Sequence, residues 1–90
     1  MPAELELADA IGHYLERSAG LANEFLDEVD RAVATLLVFP ESSAVLEAPV
    51  RRKVLRKFPY SLLYMVEEDE IVIVAVASES REPRYWGSRL

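Results

Sequence analysis

Apolar positions in the first part of the chain recur with a helical period. Leu7, Ile11 and Leu15 follow one another at i, i+4 and i+8, with Ala8 and Tyr14 beside them. This spacing predicts an amphipathic helix over about 3–17. Pro2 suits its first turn, where a missing N–H costs nothing, and Glu4 and Glu6 favour the positive end of the helix dipole. Ser18-Ala19-Gly20 interrupts the pattern, and Gly20 is able to take a left-handed cap conformation. Ala22, Phe25, Leu26, Val29, Ala32, Val33 and Leu36 then form a second stripe, while Glu24, Asp27, Glu28, Asp30 and Arg31 fall elsewhere. A second helix is therefore expected over about 21–39, stopped by Pro40. A linker this short makes the pair an antiparallel hairpin.

The period changes after Val50. Residues 41–49 show no strong pattern and are expected to form a loop. Val50 to Lys57 predicts a strand centred on Val54 and Leu55. Tyr60 to Val66, rich in aromatic and branched residues, predicts another. Phe58-Pro59 between them is a tight connection or bulge, because proline cannot donate to a central ladder. Glu67-Glu68-Asp69-Glu70 is a charged hairpin turn. Ile71 to Ala77 is apolar at every position, which predicts a central strand covered on both faces. The helical hairpin would cover one face, and a tail or a partner the other. Ser78 to Leu90 is polar and contains Arg-Glu-Pro-Arg-Tyr-Trp. The fold class is thus α+β, one domain over 1–90, with the helical hairpin packed on a small antiparallel sheet.

Composition narrows the possible functions. Ninety residues fit one domain, and a hydrophobic fraction of 51% is enough for a core. Without cysteine there is neither a disulfide framework nor a thiolate zinc site. His13 stands alone on the first helix, the acidic run 67–70 is a solvated turn, and no Gly-rich phosphate loop is present. No metal or cofactor is expected. The N-terminus lacks a basic segment followed by an apolar run, and Ile71–Ala77 is too short to span a membrane. A soluble, cytoplasmic domain is expected.

Charge is unevenly placed. The net value is −6, with −8 through Val50 and +2 from Arg51 onward. An acidic total argues against broad nucleic-acid binding. Yet Arg51, Arg52, Lys53, Arg56 and Lys57 are five of the ten Lys and Arg residues. They form either the solvated side of a half-exposed strand or a face that holds an acidic partner segment.

The order of these parts resembles the RelE/ParE toxins of bacterial type II toxin–antitoxin (plasmid stabilisation) systems. A helical hairpin, a basic strand, FPYSLLY, an acidic turn, IVIVAVA and a closing R-x-P-x-Y-W carry the likeness, which covers Glu4 to Trp86 and is most specific from Arg52 onward. The resemblance implies a small α/β toxin neutralised by a cognate antitoxin. RelE-like members cleave mRNA on the ribosome, whereas ParE-like members inhibit DNA gyrase without nuclease activity. Relatives usually open with a strand before the first helix, and here the sequence begins almost at the helix. The sheet is then expected to have three strands and an exposed edge open to a homodimer, unless a strand precedes Met1.

Many relatives place a histidine where this chain has Ser78, and a basic residue where it has Ser80. That favours the ParE-like or catalytically degraded mode over an active mRNA interferase. Were the chain a ribonuclease, Arg52 and Arg81, which match cationic positions of the family, would hold the developing phosphorane charge, and Tyr85 or Arg84 would act from the tail. Glu79 and Glu82 beside Arg81 are candidates for a structural ion pair or a general base. Partner contact is expected at Arg51, Arg52, Lys53, Arg56, Lys57, Tyr60, Tyr64, Arg84 and Trp86. Tyr60 and Tyr64 share a strand face and either stack on bases or line the core with wet hydroxyls. Tyr85 and Trp86 are expected to form a lid over the sheet.

Overall fold

The structure is a computed structural model and describes residues 2–90. Two helices, α1 (Pro2–Leu15) and α2 (Ala19–Val38), precede four strands. These are β1 (Ala44–Glu47), β2 (Val50–Val54), β3 (Tyr60–Glu67) and β4 (Glu70–Ser78), and a short 3-10 turn follows at Gly87–Arg89. The strands form an antiparallel meander in the order β1-β2-β3-β4. The expected α+β architecture is therefore present, with four strands in place of three. No strand precedes α1 among the described residues.

The helix pair is set by a different residue from the one expected. Ser18, not Gly20, makes the junction: its hydroxyl accepts the Leu21 N–H at 3.0 Å and caps α2. Gly20 lies inside the first turn of α2, and no glycine has positive φ. On α1 the buried stripe runs through Ala10 and Tyr14, with Leu7 and Ile11 packed beside them, while Leu15 is exposed. Tyr14, Phe25 and Phe58 meet with ring centroids 5.0–5.1 Å apart and hold the hairpin on the sheet.

Three strand expectations change. Residues 41–49, expected as a patternless loop, contain β1. All four residues of β1 are exposed, so no alternation of apolar and polar positions betrays it. The predicted strand Val50–Lys57 ends at Val54, where the backbone turns in and buries Leu55 and Phe58. Beyond that point the Arg56 and Lys57 N–H groups donate to the Glu28 carboxylate instead of to a ladder. Finally, Ile71–Ala77 lies in β4, which is an edge strand and not a central one. Its unbroken apolar run has another cause: both faces of the strand are covered although one side of it lacks a neighbour.

The two covers are distinct. Leu62 and Val76 face the helices, in one core with Phe25, Val29 and Leu55. Leu63, Val74 and Ala75 face the opposite way, in a second core closed by Trp86 from the tail. A bulge in the β3–β4 pairing, between Leu63↔Ala75 and Tyr64↔Ile73, re-aims β4 at this point. The lid expected of Tyr85 and Trp86 is present, since Trp86 is only 3% exposed and Tyr85 packs against the same cluster. The charged hairpin is a two-residue turn at Glu68-Asp69, with φ of 46° and 68°. Two left-handed residues match the right-handed twist of the flanking strands.

Candidate functional site

The candidate residues separate into two sites on opposite sides of β2. Successive residues of a strand point to alternate faces. Arg52 pairs with Leu63 and so lies on the tail side, whereas Lys53 pairs with Leu62 and lies on the helix side. One basic run in sequence becomes two clusters in space.

On the tail side is a cleft of about 440 Å³ lined by Arg52, Ser78, Arg81, Arg84, Tyr85 and Trp86. The three candidate catalytic residues, Arg52, Arg81 and Tyr85, are thus brought together, although they lie far apart in sequence. Most of the groups around them are already engaged. The Arg84 Nε donates to Glu47 Oε2 at 2.5 Å and ties the tail to β1. The Arg81 guanidinium lies 4.0 Å from the Tyr85 ring centroid. Glu79 and Glu82 form no ion pair with it among the described residues, where only two ion pairs occur. Ser78 and Ser80, at the positions of the absent histidine and cation, hydrogen-bond to each other at 3.0 Å.

The Tyr85 hydroxyl is already engaged. It donates to Glu6 Oε2 at 2.6 Å. Burial, then the hydrogen bond and charge of Glu6, push the phenol up to about 12. Glu6 itself is the hub of this region. Arg89 grips it with Nη1 at 2.7 Å from Oε1 and Nη2 at 3.2 Å from Oε2, and the Val76 N–H adds a bond at 3.0 Å. Burial alone pushes the Glu6 carboxyl up. The Arg89, Tyr85 and Val76 donors more than reverse this and leave it below the usual carboxylate range. Arg89 Nη1 also donates to the Val74 carbonyl at 3.1 Å.

On the helix side is a second groove, of about 640 Å³, with Lys53, Arg56 and Lys57 on one wall and Arg31 of α2 on the other. Glu28 lies among them, 7% exposed, and accepts the backbone N–H groups of Arg56 and Lys57. These paired bonds fix the β2–β3 connection against α2.

The remaining candidates are placed as follows. Arg51 braces the chain entering β1, donating to the Ser43 carbonyl at 2.8 Å and the Glu41 carbonyl at 3.2 Å. Tyr60 is half-buried, its ring 5.4 Å from that of Phe25. Tyr64 is 0% exposed, and its hydroxyl is not wet but donates to the Pro40 carbonyl at 2.8 Å. Tyr64 and Trp86 therefore have almost no surface to offer a partner in this conformation; both were expected as contact residues, and packing takes them instead. His13 is exposed, edge-on to Tyr14 at 5.0 Å, and among the described residues no cluster of three or more His, Asp or Glu side chains is arranged to hold a metal ion.

Sequence reasoning missed Glu6, Glu28, Arg31, Glu47 and Arg89. A signal existed for Glu28: it falls three residues after Phe25 and four before Ala32, on the apolar stripe of α2, where an unpaired carboxylate would be costly. Glu6 likewise stands four residues before Ala10. Arg31, Glu47 and Arg89 carried no such mark.

No helix among the described residues is long and apolar enough to cross a membrane. No curated protein matches the sequence significantly. A family model described as the ParE toxin of type II toxin–antitoxin systems, parDE, matches residues 2–83, and with the helical hairpin and antiparallel sheet already in view the chain belongs to that family.

Proposed function

We propose that this toxin acts by occupying a protein target, in the ParE-like mode, and not as a ribosome-dependent RNA-cleaving enzyme. The reading places its action in the cytoplasm, with DNA gyrase as the target class that the family resemblance implies and an antitoxin as its regulator. Its main support is the state of Tyr85. A ribonuclease needs groups that move a proton near neutral pH. The phenol at about 12 is bound to Glu6, and Ser78 and Ser80 bond to each other. Arg52 and Arg81 can attract an anion there but cannot exchange its protons.

Two assays with purified chain test this reading. Inhibition of gyrase supercoiling, with no cleavage of mRNA on translating ribosomes, is the expected result. Strong cleavage lost in Arg81→Ala would overturn it in favour of an active interferase. A second reading, a non-toxic module that dimerises through its sheet edge, is favoured by the exposure of Val45 (55%) and Leu46 (42%) on the outer strand β1. Induced expression separates the two. Growth arrest relieved by an antitoxin supports the toxin, while indifferent growth and a dimer in sedimentation support the module.

A further inference from the structure

We propose that the tail-side cleft binds a small apolar molecule bearing one carboxylate, an aromatic acid by class, with the carboxylate between Arg52 and Ser61. The inference is independent of how the toxin acts on its target.

Ser61 points to a ligand. It lies in the middle of the sheet, opposite Ala77 on β4 and two residues from Leu63, and so faces the tail side. It is 8% exposed, and the only other polar residue buried as deeply is Glu28. The Glu28 carboxylate is satisfied by the Arg56 and Lys57 N–H groups. By contrast, no side-chain hydrogen bond among the described residues involves the Ser61 hydroxyl. No sealed side-chain oxygen or nitrogen among those residues lacks a partner, so this hydroxyl opens into the cleft that Ser61 lines. A buried hydroxyl without a partner is costly, and an acceptor carried by a ligand removes that cost.

The charges around Ser61 define the acceptor. Arg52 pairs with Leu63, which makes it a diagonal neighbour of Ser61 on the same face. Such neighbours stand roughly 7–8 Å apart, within reach of a long side chain and with room for a carboxylate between them. Arg52 has no ion pair among the described residues, whereas Arg84 is tied to Glu47 and Arg81 is stacked on the Tyr85 ring. The cleft lining holds three arginines and three glutamates, so its formal charges cancel. A polyanion such as RNA therefore gains little from the site as a whole, while a single carboxylate gains a charge-assisted bond from Arg52. Glu79 and Glu82 are exposed and screened by water. The rest of the lining is apolar, with Leu46, Leu63, Ala77, Pro83 and Trp86. A volume of about 440 Å³ is within the range of small-molecule sites.

Two-dimensional amide NMR of the purified full chain, titrated with phenylacetate, tests the assignment. Saturable shifts centred on Ser61, Ala77 and the Trp86 indole are expected, with a Kd of about 1 mM or tighter. Phenylacetamide, which keeps the shape and loses the charge, should bind at least about tenfold more weakly. Arg52→Gln should weaken phenylacetate by a similar factor, and Ser61→Ala by at least about threefold. Lys53→Gln, on the other face of β2, should change it less than about twofold. Arg52 is exposed, so its variant keeps the fold and the test does not depend on Ser61→Ala folding. Absence of saturable shifts, shifts centred on the helix-side groove, equal binding of the amide, or an unchanged Kd in Arg52→Gln overturns the proposal. So does tighter binding of uridine monophosphate, of inorganic phosphate, or of a short peptide ending in phenylalanine.

Discussion

The two edges of the sheet are finished in opposite ways. At the outer side of β4, Val76 gives its N–H to Glu6 and Val74 accepts from Arg89, so side chains from α1 and the tail stand where another strand would pair. At the other side, β1 is a four-residue strand exposed throughout, with Val45 and Leu46 open to solvent. Exposed edges template further pairing, and charge or a covering segment blunts them. Strand addition is therefore blocked at Val74 and Val76 of β4, while β1 stays open. A strand-adding partner or a second copy has β1 available, while β4 is closed by the same Glu6–Arg89 pair that holds the tail over the second core.

Breaking the closed edge should produce the largest effects. Trp86→Ala removes the side chain that seals the tail against Val50, Leu63, Val74 and Ala75. The expected cost is about 4 kcal/mol, the usual loss for a buried aromatic, measured as a lower urea midpoint with an unchanged slope. Glu6→Ala comes next. It leaves Arg89, the Tyr85 hydroxyl and the Val76 N–H without their acceptor, at a cost of about 3 kcal/mol, the low end for breaking a buried pair because both side chains keep some solvent. Amide exchange at Val76 should quicken, with β1 amides unchanged. Equal acceleration at both edges would show that Glu6 does not protect β4 specifically.

Acid should open the same edge more gently. Glu6 titrates lower in the folded chain than its ordinary value of 4.5, so the unfolded chain takes up that proton first as the pH falls. Its contribution to stability is complete above about pH 4.5 and is lost as pH falls through the folded-state value. Glu6→Gln should flatten this part of the stability–pH curve, and an unchanged curve would remove Glu6 from the account. Smallest in energy, but the sharpest contrast, is the open edge. Val45→Lys with Leu46→Lys should alter stability by no more than about 0.5 kcal/mol, since both positions are exposed. Sedimentation should nevertheless show any self-association of the parent chain abolished.

Periodicity sufficed wherever burial has a regular spacing. The two helices and the strands β3 and β4 were legible for that reason, and their ends shift by only a few residues. The unbroken apolar run Ile71–Ala77 also reported correctly that something covers both faces. It could not report that the strand lies at an edge, because hydrophobicity records burial and not hydrogen-bonding neighbours. Strand β1 left no trace for the complementary reason: with every side chain exposed, only its backbone pairing makes it a strand.

The candidate site was legible as an inventory and not as an arrangement. Arg52, Arg81 and Tyr85 line one cleft, while alternation along β2 sends Lys53 to the other side of the sheet. Sequence by itself determined the helical hairpin, the β-rich second half, the family and the concentration of cations after Val50. Tertiary structure decided what each cation faces: Arg51 holds loop carbonyls, Arg84 is paired with Glu47, and Lys53, Arg56 and Lys57 join Arg31 across a groove. The reason is physical. Local pattern follows from interactions a few residues apart, whereas the partner of a charge is fixed by packing between segments distant in the chain, as Glu6 and Arg89 are.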